Sequence, residues 1–125
     1  MATLLYVPAE TQARKGCNTR ACEKRVQKKR DRTEMARYKR APMPRCTWYG
    51  ESGAGLGEWA PARYRARNPS STAGGKFQIL DTTFHAFGGP DYSGSHDAAQ
   101  ARPVLQERIA RRVLKGQGLG AWVLC

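Results

Sequence analysis

The sequence predicts a small α+β domain dominated by short helices and preceded by a basic helical arm. Three observations carry this. Residues 13–41 are rich in Arg, Lys, Gln, Glu, Ala and Met, with no proline and one early glycine, which is helix-forming composition. From Pro42 onward prolines and glycines cut the chain into short pieces. Near the C-terminus, Val104, Leu105, Ile109 and Val113 recur at helical spacing on one face.

The elements follow in chain order. Residues 1–12 suggest none. The basic helix over 13–41 has only a thin apolar stripe (Ala21, Val26, Met35, Ala36, Tyr38), so it reads as a solvated helix or a binding arm. Pro42 and Pro44 end it, and a short helix is expected from about 44 to Ser52 because proline is tolerated in a first turn. Gly53, Gly55 and Gly57 force a loop. Residues 59–75 are expected to be irregular or a short hairpin turning at Asn68-Pro-Ser-Ser. Lys76 to Ile79 alternates polar and apolar, as a brief strand would. Asp81 is placed to cap a short helix reaching Ala86, ended by Gly88-Gly89-Pro90. Asp97 to Arg102 is read as a turn of helix before the longest amphipathic helix, Pro103 to Lys115, with Gly116 as its stop and Glu107/Arg111 as an i,i+4 pair. The chain divides into an arm, 1–42, and a domain, 43–125.

Charge is uneven. Residues 1–45 hold 13 Lys/Arg against 4 Asp/Glu and residues 46–125 hold 9 against 6, so the first third carries +9 of the net +12. Such a field favours anionic partners: nucleic acid, acidic membranes or anionic wall polymers. No run is long and apolar enough to span a membrane. Met1 to Pro8 has no basic n-region and is too short for a signal peptide, so the chain is not expected to be a Sec substrate. The four cysteines are read as two disulfides, with Cys17 close to Cys22 and Cys46 and Cys125 at the two ends of the domain. Zinc is the rival, but only Cys17/Cys22 has near-suitable spacing, and His85 and His96 do not supply a second pair. Disulfides imply an oxidising working environment.

The chemistry concentrates in residues 46–84. Glu51 sits among aromatic residues, in Cys-Thr-Trp-Tyr-Gly-Glu-Ser-Gly, and a glycine-rich segment after it can return Gln78 and Thr83 to the same place. A glutamic acid in apolar surroundings holds its proton to higher pH, which is what a general acid for glycosidic cleavage requires. Glu58, Asp81 and Asp91 are candidates for a second carboxylate. His85 and His96 are isolated and receive no role, since no nucleophile motif accompanies them.

Glu51-Ser52-Gly53, Trp59-Ala60, the run Asn-Pro-Ser-Ser-Thr-Ala-Gly-Gly-Lys-Phe-Gln-Ile at 68–79, Thr83-Phe84 and the C-terminal Gly116 to Cys125 together resemble the transglycosylase-like domain of the resuscitation-promoting factors, a domain also found in lysins of actinobacterial phages. The resemblance spans roughly residues 43–125. It implies a reduced lysozyme-like (lytic transglycosylase-like) fold, Glu51 as the catalytic acid, and sugar contacts at Gln78, Thr83 and Gln117. Trp59 and Trp122 are candidate stacking platforms, with core packing as the alternative. In those factors a cysteine immediately precedes the glutamate, whereas here Gly50 does and the cysteine stands at 46.

The expected function is therefore a peptidoglycan glycosidase that cuts the β-1,4 bond between N-acetylmuramic acid and N-acetylglucosamine and needs no metal or cofactor. With no second carboxylate the sugar's own 6-hydroxyl can attack, giving a 1,6-anhydro product. The expected partners are glycan strands, anionic wall polymers through the arm, and other phage proteins if the chain is virion-borne. The expected location is the host cell wall or the extracellular space. The alternative is a non-catalytic basic protein that grips nucleic acid or wall polymer; charge alone gives salt-dependent, sequence-blind affinity, and no zinc-finger, helix-turn-helix or RNA-binding signature accompanies it.

Overall fold

The computed structural model describes residues 16–53 and 55–125. The expectations for residues 1–12, and for a helix beginning at 13, lie outside the described residues. Two compact units divide after Ala36. Within the described residues the architecture is small and mainly helical: α1 (Arg20–Arg40), a 3-10 turn (Arg45–Thr47), α2 (Pro61–Tyr64), α3 (Asp81–Ala86), α4 (Asp97–Gln100), α5 (Pro103–Gln117) and a final 3-10 turn (Leu119–Ala121). No described helix is long and apolar enough to cross a membrane.

α1 starts where Thr19 caps it, with the Cys22 amide donating to Thr19 Oγ1 at 3.1 Å. Cys17 and Cys22 pair just there, with sulfurs 2.05 Å apart. The helix buries no residue. Ten Lys/Arg stand against three Asp/Glu along its length, so packing does not explain its direction or length. Past the unit boundary, residues 37–41 belong to the second unit. Arg111 donates to the Tyr38 and Ala41 carbonyls at 3.2 and 2.9 Å and lies over the Tyr38 ring.

The second unit is built around α5. Its expected apolar face is buried: Val104, Leu105, Ile109 and Val113, with Ala110. Met43, Trp48, Phe77, Ile79, Phe84, Ala98, Ala101 and Trp122 complete the core. Proline opens both α2 and α5, where the amide it lacks has no helical partner anyway.

Several expectations are corrected. The helix expected over 44–52 shortens to the 3-10 turn, followed by hydrogen-bonded turns to Ser52. Residues 59–75 contain α2, which the sequence reading did not foresee. The strand expected at 76–79 is absent. Pairing among the described residues is confined to isolated bridges, Arg67 with Gly74 and Gly74 with Ile79. The Gly74 and Ile79 amides and carbonyls bond each other at 3.1 Å, so the segment doubles back on itself, and Gln78 takes a left-handed φ of 49° to close the turn. Asp81 does not cap its own helix. It stands inside α3, and its Oδ1 accepts the Asp97 amide at 2.8 Å, joining α3 to the start of α4. Gly116 does not stop α5. The helix runs on to Gln117 and closes at Gly118, whose φ is 71°. A side chain at 116 would press on Phe87, its Cβ 2.8 Å from Cε1, so close packing explains that glycine.

The C-terminal tail is returned to the front of the domain by Cys46–Cys125, with Cα atoms 5.1 Å apart and a sequence separation of 79. The tail lies against Gly50: a Cβ there would come within 2.7 Å of Leu124 Cδ1. Replacing both cysteines by serine is expected to lower stability by roughly 4 kcal/mol in the chain-entropy account of a loop this size. Thermal unfolding of the double-serine variant checks it, and an unchanged Tm contradicts it.

Candidate active site

Glu51 sits at the end of the turns that follow the 3-10 segment, half-buried beside Ser52, which is buried. Burial raises its carboxyl pKa above the ordinary glutamate range, because the charged form loses hydration. The loop that carries it is held by α2. Arg63, fully buried, donates to the Trp48 carbonyl (3.0 Å), the Tyr49 carbonyl (3.2 Å), Ser52 Oγ (3.0 Å), the Gly57 carbonyl (2.9 Å) and the Leu56 carbonyl. Its guanidinium also lies over the Trp48 ring, 4.7 Å from the centroid.

Gln78, Thr83, Gln117 and Trp122 come together around one small cavity of about 80 Å³, which Ile79, Leu80, Val113 and Ala121 also line. Trp122 is buried, and its Nε1 donates to the Phe77 carbonyl at 3.1 Å, so it serves the core as well as the cavity. Gln78 donates its amide nitrogen to the Gly75 and Ala66 carbonyls at 2.9 and 3.3 Å, which fixes its side chain. Glu51 and Trp59 do not line this cavity. The Trp59 ring instead carries the Lys76 ammonium 3.8 Å from its centroid, so one of its faces is occupied by protein. A larger concavity of about 270 Å³ lies along the start of α1 and contains none of the residues expected to bind sugar.

Behind the Glu51 loop lies a buried ionic cluster. Lys76, with no exposed surface, bonds Glu107 Oε2 at 2.6 Å; Tyr64 donates to the same oxygen at 2.8 Å, and Arg111 donates to Oε1 at 2.8 Å. Burial pushes the Lys76 pKa down, with Glu107 and then Glu58 opposing. Neighbouring Gln106 accepts the Lys76 amide at 3.0 Å and donates to the Tyr64 and Ala101 carbonyls. Gly75 is required here: its φ is 77°, and a Cβ would sit 2.2 Å from Gln106 Oε1. Glu107 was expected only as one half of an i,i+4 pair with Arg111, and it is this core's central acceptor.

Glu58 Oε1 lies 3.6 Å from Lys76, buried and accepting no hydrogen bond. Asp81 holds the Asp97 amide. Asp91 accepts from the Ser93 amide at 2.8 Å. The histidines are not isolated. His85 Nε2 meets the buried Asp97 Oδ2 at 2.6 Å, and His96 Nε2 meets the Asn68 carbonyl at 2.8 Å. His85, Asp91 and Asp97 bring their ligand atoms within 4.8 Å of one another, a set that could hold a metal ion. Sequence reasoning missed Arg63 and Lys76. A lysine set between Gly-Gly and a phenylalanine was the available signal for the second; Arg63 had none.

The profile of the transglycosylase-like domain matches residues 60–125, which contain α2 to α5, the cavity and the ionic cluster. The chain belongs to that family. Its matched span begins after Glu51. The chain is also 38% identical over 58 residues to the probable transglycosylase SceD 2 of Staphylococcus saprophyticus, an alignment covering 46% of this chain and 23% of that protein. The chain thus spans about a quarter of that relative's length. No solved structure matches it.

Proposed function

We propose that this transglycosylase-like domain, in a reduced lysozyme-like arrangement, cleaves the β-1,4 bond between N-acetylmuramic acid and N-acetylglucosamine, with Glu51 as the general acid. The observation that carries this is a half-buried glutamate with a raised pKa, presented on a loop pinned from below. Gln78, Thr83 and Gln117 offer the polar contacts that orient a sugar, with Trp122 as the apolar wall. Of the candidate second carboxylates, Asp81 holds the Asp97 amide, while Glu58 lies 3.6 Å from Lys76 with its buried Oε1 accepting no hydrogen bond. With no second carboxylate taking part, the sugar's own 6-hydroxyl attacks, Glu51 protonating the leaving oxygen and then accepting the hydroxyl proton; with Glu58 taking part, water is the nucleophile. Mass spectrometry of muropeptides released from purified walls tests this: 1,6-anhydro ends support it, reducing ends indicate water as the nucleophile, and no release defeats the enzymatic reading.

The basic arm supports a role as an electrostatic anchor on anionic wall polymers, in a protein released by lysis or carried in a virion. The cut that tests it falls after Ala36, because Tyr38 and Ala41 are bonded to Arg111. A chain beginning at residue 37 is expected to keep its rate on soluble glycan fragments and to lose rate on intact walls. The full chain is expected to lose wall activity with added salt more steeply, since ordinary ionic strength screens charges beyond ~8–10 Å. Identical salt profiles for the two forms remove the anchoring role.

A further inference from the structure

We propose that Arg63 is a positioning residue for the reaction: its guanidinium, inserted from α2, sets the place of the Glu51 carboxyl by holding the loop on both sides of it. This rests on the reading of Glu51 as the acid. Three of the acceptors, the Trp48 and Tyr49 carbonyls and Ser52 Oγ, bracket Glu51 in sequence, and two more, the Leu56 and Gly57 carbonyls, hold the far limb of the loop. One NH1 serves the near limb, while Nε and NH2 serve the far limb. A planar guanidinium with donors pointing in fixed, divergent directions can span two limbs in this way; a lysine ammonium concentrates its donors on one atom and cannot. The loop between these anchors is otherwise rich in glycine and has little apolar substance to fix it: Gly53 takes a φ of 136° and Gly55 one of 87°, while Leu56 is exposed. Ser52 adds a second tie, since its hydroxyl both accepts from Arg63 and donates to the Trp48 carbonyl at 3.1 Å. The acid's location is therefore set by one buried cation acting through the backbone, and Arg63 itself makes no contact with substrate in this account.

The experiment compares Arg63→Lys, Ser52→Ala and Glu51→Gln in the full chain, on a soluble glycan fragment, with folding followed by circular dichroism. Misplacing an acid by ~1 Å costs on the order of 10²-fold in rate. Arg63→Lys is expected to lower kcat by about that factor with KM little changed, and to move the basic limb of the kcat profile to lower pH as the loosened loop hydrates Glu51. An NMR titration of the Glu51 carboxyl carbon should show the same downward move without relying on activity. Ser52→Ala, which removes one acceptor and leaves the buried cation in place, is expected to change both readouts in the same direction by a smaller amount. A folded Arg63→Lys with the wild-type kcat and pH profile overturns the proposal. If Arg63→Lys does not fold, Ser52→Ala decides: an unmoved limb and an unmoved titration overturn it. Full activity in Glu51→Gln defeats the acid assignment, whereas an inactive Glu51→Gln beside an unaffected Arg63→Lys defeats only the positioning role.

Discussion

Glu51→Gln is expected to abolish wall lysis while the domain stays folded. The amide keeps the size and much of the hydrogen bonding of the carboxyl group but has no proton to transfer. General acid–base catalysis is worth ~10²–10⁴-fold, so a turbidity assay on purified walls resolves the loss easily. Near-full lysis by the variant would exclude Glu51 as the acid. The pH dependence follows from the same group. Burial raises the Glu51 pKa, so the protonated, competent form persists above the ordinary glutamate range and is lost as pH rises through the raised value. Activity on soluble glycan should fall over that limb. Stability runs the same way: between the ordinary and the raised pKa the folded domain keeps a proton that the unfolded chain has released, so this site's contribution declines as pH rises through the window.

What the sequence disclosed was local, and what it hid was long-range. The buried face of α5 was legible because Val104, Leu105, Ile109 and Val113 recur with the period of a helix, and Pro103 marks its start. That Gln78, Thr83 and Gln117 share one place was implied by the family resemblance alone; they line one cavity, and no periodicity could have placed Gln117 beside Gln78. Alternation misled at Lys76-Phe-Gln-Ile. The same alternation arises in a turn whose Phe and Ile are buried, and Gln78 in the left-handed region bends the chain where a strand would continue. Gly116 misled because a glycine near a helix end reads as a stop, whereas here the ring of Phe87 takes the space of its side chain. The charged centre was invisible for a different reason. Arg63, Lys76 and Glu107 are residue types that normally face water, and only their partners, most of them 11 to 43 positions away, make their burial tolerable.

That centre gives the largest stability effect. Lys76→Met is expected to destabilise the domain by ~3–5 kcal/mol, because Glu107 then keeps a buried negative charge without its closest counterion. Arg111 compensates only in part: it reaches Glu107 Oε1 from a partly exposed side chain, so water screens it. Methionine fills much of the lysine's volume and can retain contact with Trp59, Tyr64 and Phe77, so lost packing contributes little to the change. For a domain of this size 1 kcal/mol corresponds to ~4–8 °C, and the Tm should therefore fall by more than ten degrees. The double variant Lys76→Met/Glu107→Leu discriminates charge burial from structure. Removing both charges ends the desolvation cost, and such replacements are often neutral. Here the recovery should be incomplete, because Tyr64 loses its acceptor at 2.8 Å and a buried hydroxyl left without a partner costs ~1–3 kcal/mol. Adding Tyr64→Phe should restore most of the remainder. Three variants that all unfold at the wild-type temperature would show that the ion pair is not what holds α2, the glycine-rich turn and α5 together.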